Sequence, residues 1–308
     1  MLSFLIQRLL QGVVVLFIVT FFTFALMQLA PGDPIDIMVG EAIITDEEIA
    51  RIQAKWGLDR PWYEQYFTWL SNFIQGDFGR SVVRTGVPVS DMVTEAMVPT
   101  LQLNFLAIIV ATSLAIPAGI MAAVKQYSIF DSSIMVWASA GVALPNFWIG
   151  LMLIVLFTRE LGWLPSSQTG SWKHWIMPVA VLAINETAIL ARLSRGSTLE
   201  VINQEYVTTA RAKGLVERVV LVRHVVRNAL LPITTVLGLR VAFLLSGTIV
   251  VETIFAFPGI GRLFITSVDR LDYQVVQAIT VMFVLFVIVA NIATDLLYGV
   301  IDPRIRVK

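Results

Sequence analysis

Six apolar runs, each long enough to cross a bilayer, decide what this chain can fold into. The plainest is Leu9 to Leu29, about 21 residues without a charge, which at about 1.5 Å of rise per residue spans a hydrocarbon core about 30 Å thick. The others are Leu101 to Val124, Ile134 to Phe157, Ile176 to Leu193, Ala229 to Val251 and Val275 to Tyr298. With 57% hydrophobic and 14% charged residues and a mean hydropathy of +0.79, the chain is too apolar for a soluble domain. The first run is expected to be a span rather than a secretory signal. A signal's apolar region is shorter, and no small-x-small cleavage site follows here.

The stretches between the runs divide into two kinds. After the first run, the PGDP turn at Pro31 to Pro34 stops the helix, because neither proline donates a backbone hydrogen bond and each pushes its predecessor out of the helical region. Residues 31–98 then have the composition of a small helical subdomain. Thr45 and Glu48 form a capping box opening a helix that Gly57 closes, and Pro61 starts another with Trp62, Tyr66, Trp69, Leu70 and Phe73 on one face. That face is expected to pack over the spans or to rest at the membrane interface.

Glu205 to Pro232 is the other kind. Arg211, Lys213, Arg218, Arg223 and Arg227 face only Glu205 and Glu217, a cationic segment that does not enter hydrocarbon. Two helical pieces are expected, one ending near Lys213 with Gly214 left-handed, the second from Val216 to Asn228. Pro232 then falls in the first turns of the next span. With the amino terminus inside, cytoplasmic loops and termini hold twelve basic residues and the two short outer loops four: Arg159, Lys173, Arg262 and Arg270. Positive charge collects on the cytoplasmic side, so both termini and the basic segment are expected there, with residues 31–98 outside.

The wording TARAKGL at Thr209 to Leu215, followed by RHVVRNALLP at Arg223 to Pro232, resembles the coupling segment of permease subunits in ATP-binding-cassette (ABC) importers, and most closely their peptide and nickel branch. GLDRPWYEQYFTWL at Gly57 to Leu70, GDFGRS at Gly76 to Ser81, ETIFAFPGIGRLF at Glu252 to Phe264 and DLLYGVIDPRIR at Asp295 to Arg306 are similar to the same branch, so the resemblance runs over nearly the whole chain. Thr208 stands where the general pattern has glutamate, and Pro232 lies eighteen residues beyond Gly214, so the match to the branch is tighter than the match to the general pattern.

The resemblance implies an all-α polytopic membrane protein with six transmembrane helices, type I importer permease-like, carrying an extracytoplasmic helical loop subdomain. Residues 1–30 would be the amino terminus and first span, 31–98 the outer subdomain, and 99–308 a five-helix core containing the coupling loop 196–228. Glu205, Ala210, Arg211, Ala212, Lys213, Gly214, Leu215 and Arg218 would meet the ATPase. The implied partners are a second homologous permease, two ATP-binding cassette ATPases holding ATP and magnesium, an extracytoplasmic solute-binding protein and membrane lipid, with no nucleic acid. The chain itself would bind no cofactor, sit in a bacterial inner membrane, and carry short peptides. Glutathione, nickel chelates or another solute are the alternatives.

Other classes fit the residues less well. There is no cysteine, and the two histidines, His174 and His224, fall in different loops, which leaves neither thiol chemistry nor a His-rich metal site. An intramembrane serine protease needs its base at the depth of its serine, and HExxH is absent. Gly259 and Gly261 lack the lysine-serine pair of a phosphate loop, and a short re-entrant hairpin is expected there. A secondary transporter usually has internal repeats and ionisable relays, neither of which stands out, and has no role for a long basic loop.

Two charges remain. Glu186 falls near the middle of the fourth run and Arg240 near the middle of the fifth. A lone charge at the bilayer centre costs about 2.5 to 3.5 kcal/mol on insertion scales, so the two are expected to pair, with Asn185 assisting the guanidinium or lining the same path. The pair would either pin two helices or line the substrate path.

Overall fold

The computed structural model describes residues 2–29, 47–48, 51, 54, 59–84, 86–167, 169–242 and 248–301. The PGDP turn, Thr45 and Gly57 lie outside them, as does the tail beyond residue 301. Among the described residues every regular element is a helix, and a lone bridge pairs Arg80 with Pro88. Among the described residues, five helices are long and apolar enough to cross a membrane, six when a bent pair is counted as one span. The chain forms two compact units, one of residues 1–99 and 258–308, the other of residues 100–257.

The first unit is built on α1 (Leu2–Leu29), α2 (Trp62–Ile74), the start of α3 (Val89–Val124), α11 (Ile260–Asp269) and α12 (Tyr273–Ile301). The aromatic face expected after Pro61 packs on α1. Tyr66 is 1% exposed, makes edge-on contacts with Phe17, Phe21 and Phe24, and its hydroxyl meets Thr20 Oγ1 at 3.0 Å. A tyrosine suits this place because its ring fills the aromatic cluster while its hydroxyl finds a partner inside it. α1 also packs against α12, where a Cβ on Gly12 would stand 3.0 Å from Ile288. Much of the rest of α1, including Leu10, Val13 and Phe22, is exposed, as a lipid-facing helix requires.

The second unit contains the remainder of α3, α4 (Ile129–Ala143), α5 (Asn146–Leu153) with the π-helical Ile154–Glu160 that continues it, and α6 (Lys173–Ile202). The short α7 (Glu205–Ala212) and α8 (Glu217–Val219) follow, then the π-helical Val220–Val226, α9 (Arg227–Ala242) and α10 (Ile249–Ile254). Its centre is made of small side chains. Ala111 and Ala115 of α3 bury against Ala183, Leu190 and Ala191 of α6, and a Cβ on Gly119 would fall 2.5 Å from the Ala191 carbonyl oxygen. In lipid, helices gain little from hiding apolar surface from one another, so close backbone approach through alanine and glycine supplies the packing.

Three expectations need correction. The run Ile134 to Phe157 is not one straight span: α4 and the α5 segment bend by 103°. Pro145 forces the residue before it out of the helical region, and Leu144 is extended at ψ 129°. The second helical piece of the basic segment does not end at Asn228. The helical path continues from Glu217 through the π-helical stretch into α9, with Pro232 inside α9. The run Ala229 to Val251 is helical to Ala242, residues 243–247 lie outside the described residues, and α10 is a separate short helix. The segment read as a re-entrant hairpin consists of α10 and α11, joined by residues 255–259.

Candidate functional site

The basic segment turns a corner at Gly214. α7 starts after Gln204 and carries Glu205 in its first turn and Arg211 in its last, an order that suits the helix dipole. Its inner face is fixed by Val207 and Ala210, which bury against Val220 and Val225 of the following π-helical stretch and against Val201 and Ile202 at the end of α6. Lys213 N donates to Thr209 O at 3.1 Å and Gly214 N to Arg211 O at 2.9 Å. Gly214 then takes φ +77°, the left-handed conformation that ends a helix and that a residue with a Cβ adopts at a cost.

The opposite face is exposed. Arg211, Ala212, Lys213, Gly214, Leu215 and Arg218 all face outward, with Val216 71% and Val222 62% exposed beside them. Of the residues read as the coupling site, only Ala210 belongs to the buried side; Glu205 is exposed at the start of α7. Arg211 is held within the segment itself: its Nη2 donates to Glu217 Oε1 at 2.8 Å and its Nε to Glu217 Oε2 at 3.1 Å. The hydrogen bond from the Arg211 guanidinium to Glu217 raises the pKa of Arg211 above its ordinary value. The corner is thus a small rigid body, packed inside by four apolar side chains and tied outside by one ion pair, offering a face of mixed basic and apolar character.

The two deep charges meet. Arg240 Nη1 of α9 donates to Glu186 Oε1 of α6 at 3.3 Å, with the two side chains 33% and 24% exposed. Glu186 Oε2 is buried and has no hydrogen-bond partner among the described residues. Asn185 does not serve the guanidinium. Its side-chain amide reaches the Gly141 carbonyl of α4 at 3.4 Å, so neighbouring residues of α6 address different helices.

The buried polar contacts that the sequence reading lacks include two in the second unit. Arg195, one turn beyond Arg192 on α6, grips Asp131 in the first turn of α4 with both Nε and Nη2, the second at 2.7 Å. Asp131 is 3% exposed and also accepts from the backbone N–H of Tyr127 at 3.0 Å. The pair links residues 64 positions apart, and its only local trace is the turn Tyr127-Ser128 with Asp131 behind it, where Ser128 caps α4. Glu252 of α10 is fully buried and accepts from Thr100 Oγ1 at 2.6 Å.

Residues 115–307 match the family model described as "Binding-protein-dependent transport system inner membrane component", and residues 1–109 match the model of the N-terminal part of such components. The oligopeptide transport system permease protein AppB of Bacillus subtilis (strain 168) is 40% identical over 316 residues, covering 99% of this chain and 100% of that one. The glutathione transport system permease protein GsiC of Escherichia coli (strain K12) is 41% identical over 309 residues, covering 100% of both. Among solved structures, the crystal structure of an amino acid ABC transporter with histidines superposes with a TM-score of 0.54 at 19% identity, over 68% of this chain and 93% of that one, which is a likeness of fold.

Proposed function

The chain belongs to the family of inner membrane components of binding-protein-dependent transport systems, and from that premise we propose that it is a permease subunit of an ATP-driven importer that carries short peptides into the cytoplasm. The Gly214 corner carries this reading. A short helix held on its inner side and presenting basic and apolar residues outward suits a partner protein better than it suits solvent. Glutathione is the second substrate reading, favoured by the full-length likeness to the glutathione permease.

In this reading both termini lie in the cytoplasm and residues 31–98 outside. A second, homologous permease completes the path, two ATPases bearing ATP and magnesium dock on the inner face, and a solute-binding protein delivers substrate from outside. Glu205, Ala210, Arg211, Ala212, Lys213, Gly214, Leu215 and Arg218 form the contact with one ATPase. When the ATPases close on ATP, the corner is pushed as a unit, and the strain passes to α6 and α9, into which its two ends run. Asn185, Glu186 and Arg240 lie on those two helices, within the moving part of the path.

The test is reconstitution of the assembled transporter in liposomes. ATP-dependent peptide uptake that requires the binding protein is expected. Uptake driven by an ion gradient with the ATPases left out overturns the assignment in favour of a secondary transporter.

A further inference from the structure

The first compact unit holds a cavity of about 440 Å³, lined by residues of the Val83–Arg84 segment, α3 and the 258–272 segment. Its walls are fixed from behind by Asp272, which is 2% exposed and accepts hydrogen bonds from Ser81 Oγ and from Val82 N, the latter at 3.2 Å. Ser81 Oγ in turn accepts from Arg84 N at 2.8 Å. Leu271, between Arg270 and Asp272, has φ +53°, a conformation that a side chain with a Cβ takes at some strain. The backbones that carry Arg84 and Arg270 are therefore stapled together by one buried carboxylate.

The cavity is charged with both signs. Arg84, Arg262 and Arg270 line it together with Glu95. Arg84, Arg270 and Glu95 make no side-chain ion pair or hydrogen bond among the described residues, and Asp272 is occupied by Ser81 and Val82. Gly259, which precedes α11, also lines the cavity, so the positive end of a ten-residue helix adds to the pull on an anion. Cavities of roughly 300 to 1,000 Å³ hold small molecules. The guanidiniums, with Glu95 as the lining carboxylate not already engaged by Ser81 and Val82, suit a molecule that is anionic at one end and cationic at the other.

We propose that this cavity is a receiving site for a zwitterionic short peptide, whose carboxylate is held by Arg84, Arg262 and Arg270 and whose ammonium faces Glu95. The assignment rests on the peptide-importer reading, in which residues 83–99 and 258–272 lie on the outer side of the membrane. There the cavity would take peptide released by the binding protein.

The assembled transporter in lipid nanodiscs, without binding protein, is probed with trialanine by saturation-transfer NMR, beside trialanine amide and N-acetyl-trialanine. Trialanine is expected to receive saturation from the transporter and both blocked peptides less. Arg84→Gln with Arg270→Gln should weaken trialanine binding about tenfold, as loss of a charge-assisted contact does. Glu95→Gln should remove the preference for trialanine over N-acetyl-trialanine while sparing its preference over the amide. No saturation transfer, or transfer unchanged by these substitutions, overturns the site. If the double variant instead loses affinity for the binding protein with trialanine transfer intact, the cavity is a docking surface and the assignment is wrong. ATP-dependent uptake of trialanine through binding protein and transporter is measured in parallel. Uptake without direct binding removes this site alone, whereas absence of uptake for every peptide tried removes the importer reading and the site with it.

Discussion

Arg211 and Glu217 hold each other across Gly214 by two hydrogen bonds, at 2.8 and 3.1 Å, so the corner between α7 and α8 is closed on its outer side as well as packed on its inner one. The glycine supplies the turn, the ion pair the angle, and Val207, Ala210, Val220 and Val225 the floor. The glycine and the ion pair have separate tests.

Gly214→Val should reduce coupling more than stability. A Cβ at this position meets nothing within 4 Å, so the penalty is the left-handed backbone alone, roughly 1 to 2 kcal/mol. Since the residue is exposed, the corner relaxes by changing its angle, and the complex still assembles. ATP hydrolysed per peptide imported should rise, and Gly214→Asn, which tolerates this conformation better, should lie between the two. A wild-type ratio in Gly214→Val counts against a coupling role.

Glu217→Gln should loosen the corner without unfolding the chain. Both members of the pair are largely exposed, and an exposed ion pair adds little to stability. The melting temperature should barely move, while the salt dependence of ATPase docking should steepen as Arg211 is released toward the partner. Arg211→Gln should flatten it. Equal salt slopes for wild type and both variants would place Arg211 away from the ATPase.

Much of this was legible in the sequence because it is written locally. Four of the spans follow from apolar length, the left-handed Gly214 from a glycine behind a basic helix end, and the α2 face from aromatic spacing after Pro61. Where the reading fell short, the cause was a contact or bend that hydropathy does not register. Leu144-Pro145 sits inside an unbroken apolar run, and only the backbone rule for a residue before proline marks the 103° bend. α3 begins at Val89, well before the apolar run at Leu101, since its first turns pack within the first unit and need no lipid-like composition. The Asp131–Arg195 pair was missed because each residue alone looks like an ordinary charge near a membrane surface.

That pair should dominate the stability of the second unit. Asp131 has a side-chain exposure of 5% and Arg195 of 22%, so removing the cation alone leaves a carboxylate buried with a backbone donor and little else. Breaking a buried pair this way costs about 3 to 5 kcal/mol. Arg195→Ala should therefore lower the melting temperature in detergent sharply, and Arg195→Lys only partly restore it, because an ammonium does not reproduce the two-pronged grip. Adding Asp131→Asn to Arg195→Ala should recover much of the loss. A melting temperature for Arg195→Ala within error of wild type would show that water already solvates Asp131.

Glu186 and Arg240 call for a different expectation, because their geometry is incomplete. The contact is a single hydrogen bond of 3.3 Å, both side chains are partly exposed, and Glu186 Oε2 is buried without a partner among the described residues. A pair kept only to pin α6 to α9 would gain from filling that second acceptor, whereas a pair on the translocation path opens to meet a passing ammonium. Arg240→Gln alone should harm both expression and uptake, since it leaves Glu186 deep in the span with no cation. Glu186→Gln with Arg240→Gln removes both charges together and should restore the folded protein. If the pair lines the path, the double variant is stable yet imports trialanine several-fold more slowly at an unchanged rate of ATP hydrolysis, with the loss smaller for N-acetyl-trialanine, which has no ammonium to meet the carboxylate. Normal uptake by the double variant would leave the pair as a pin between two helices and take it out of the path.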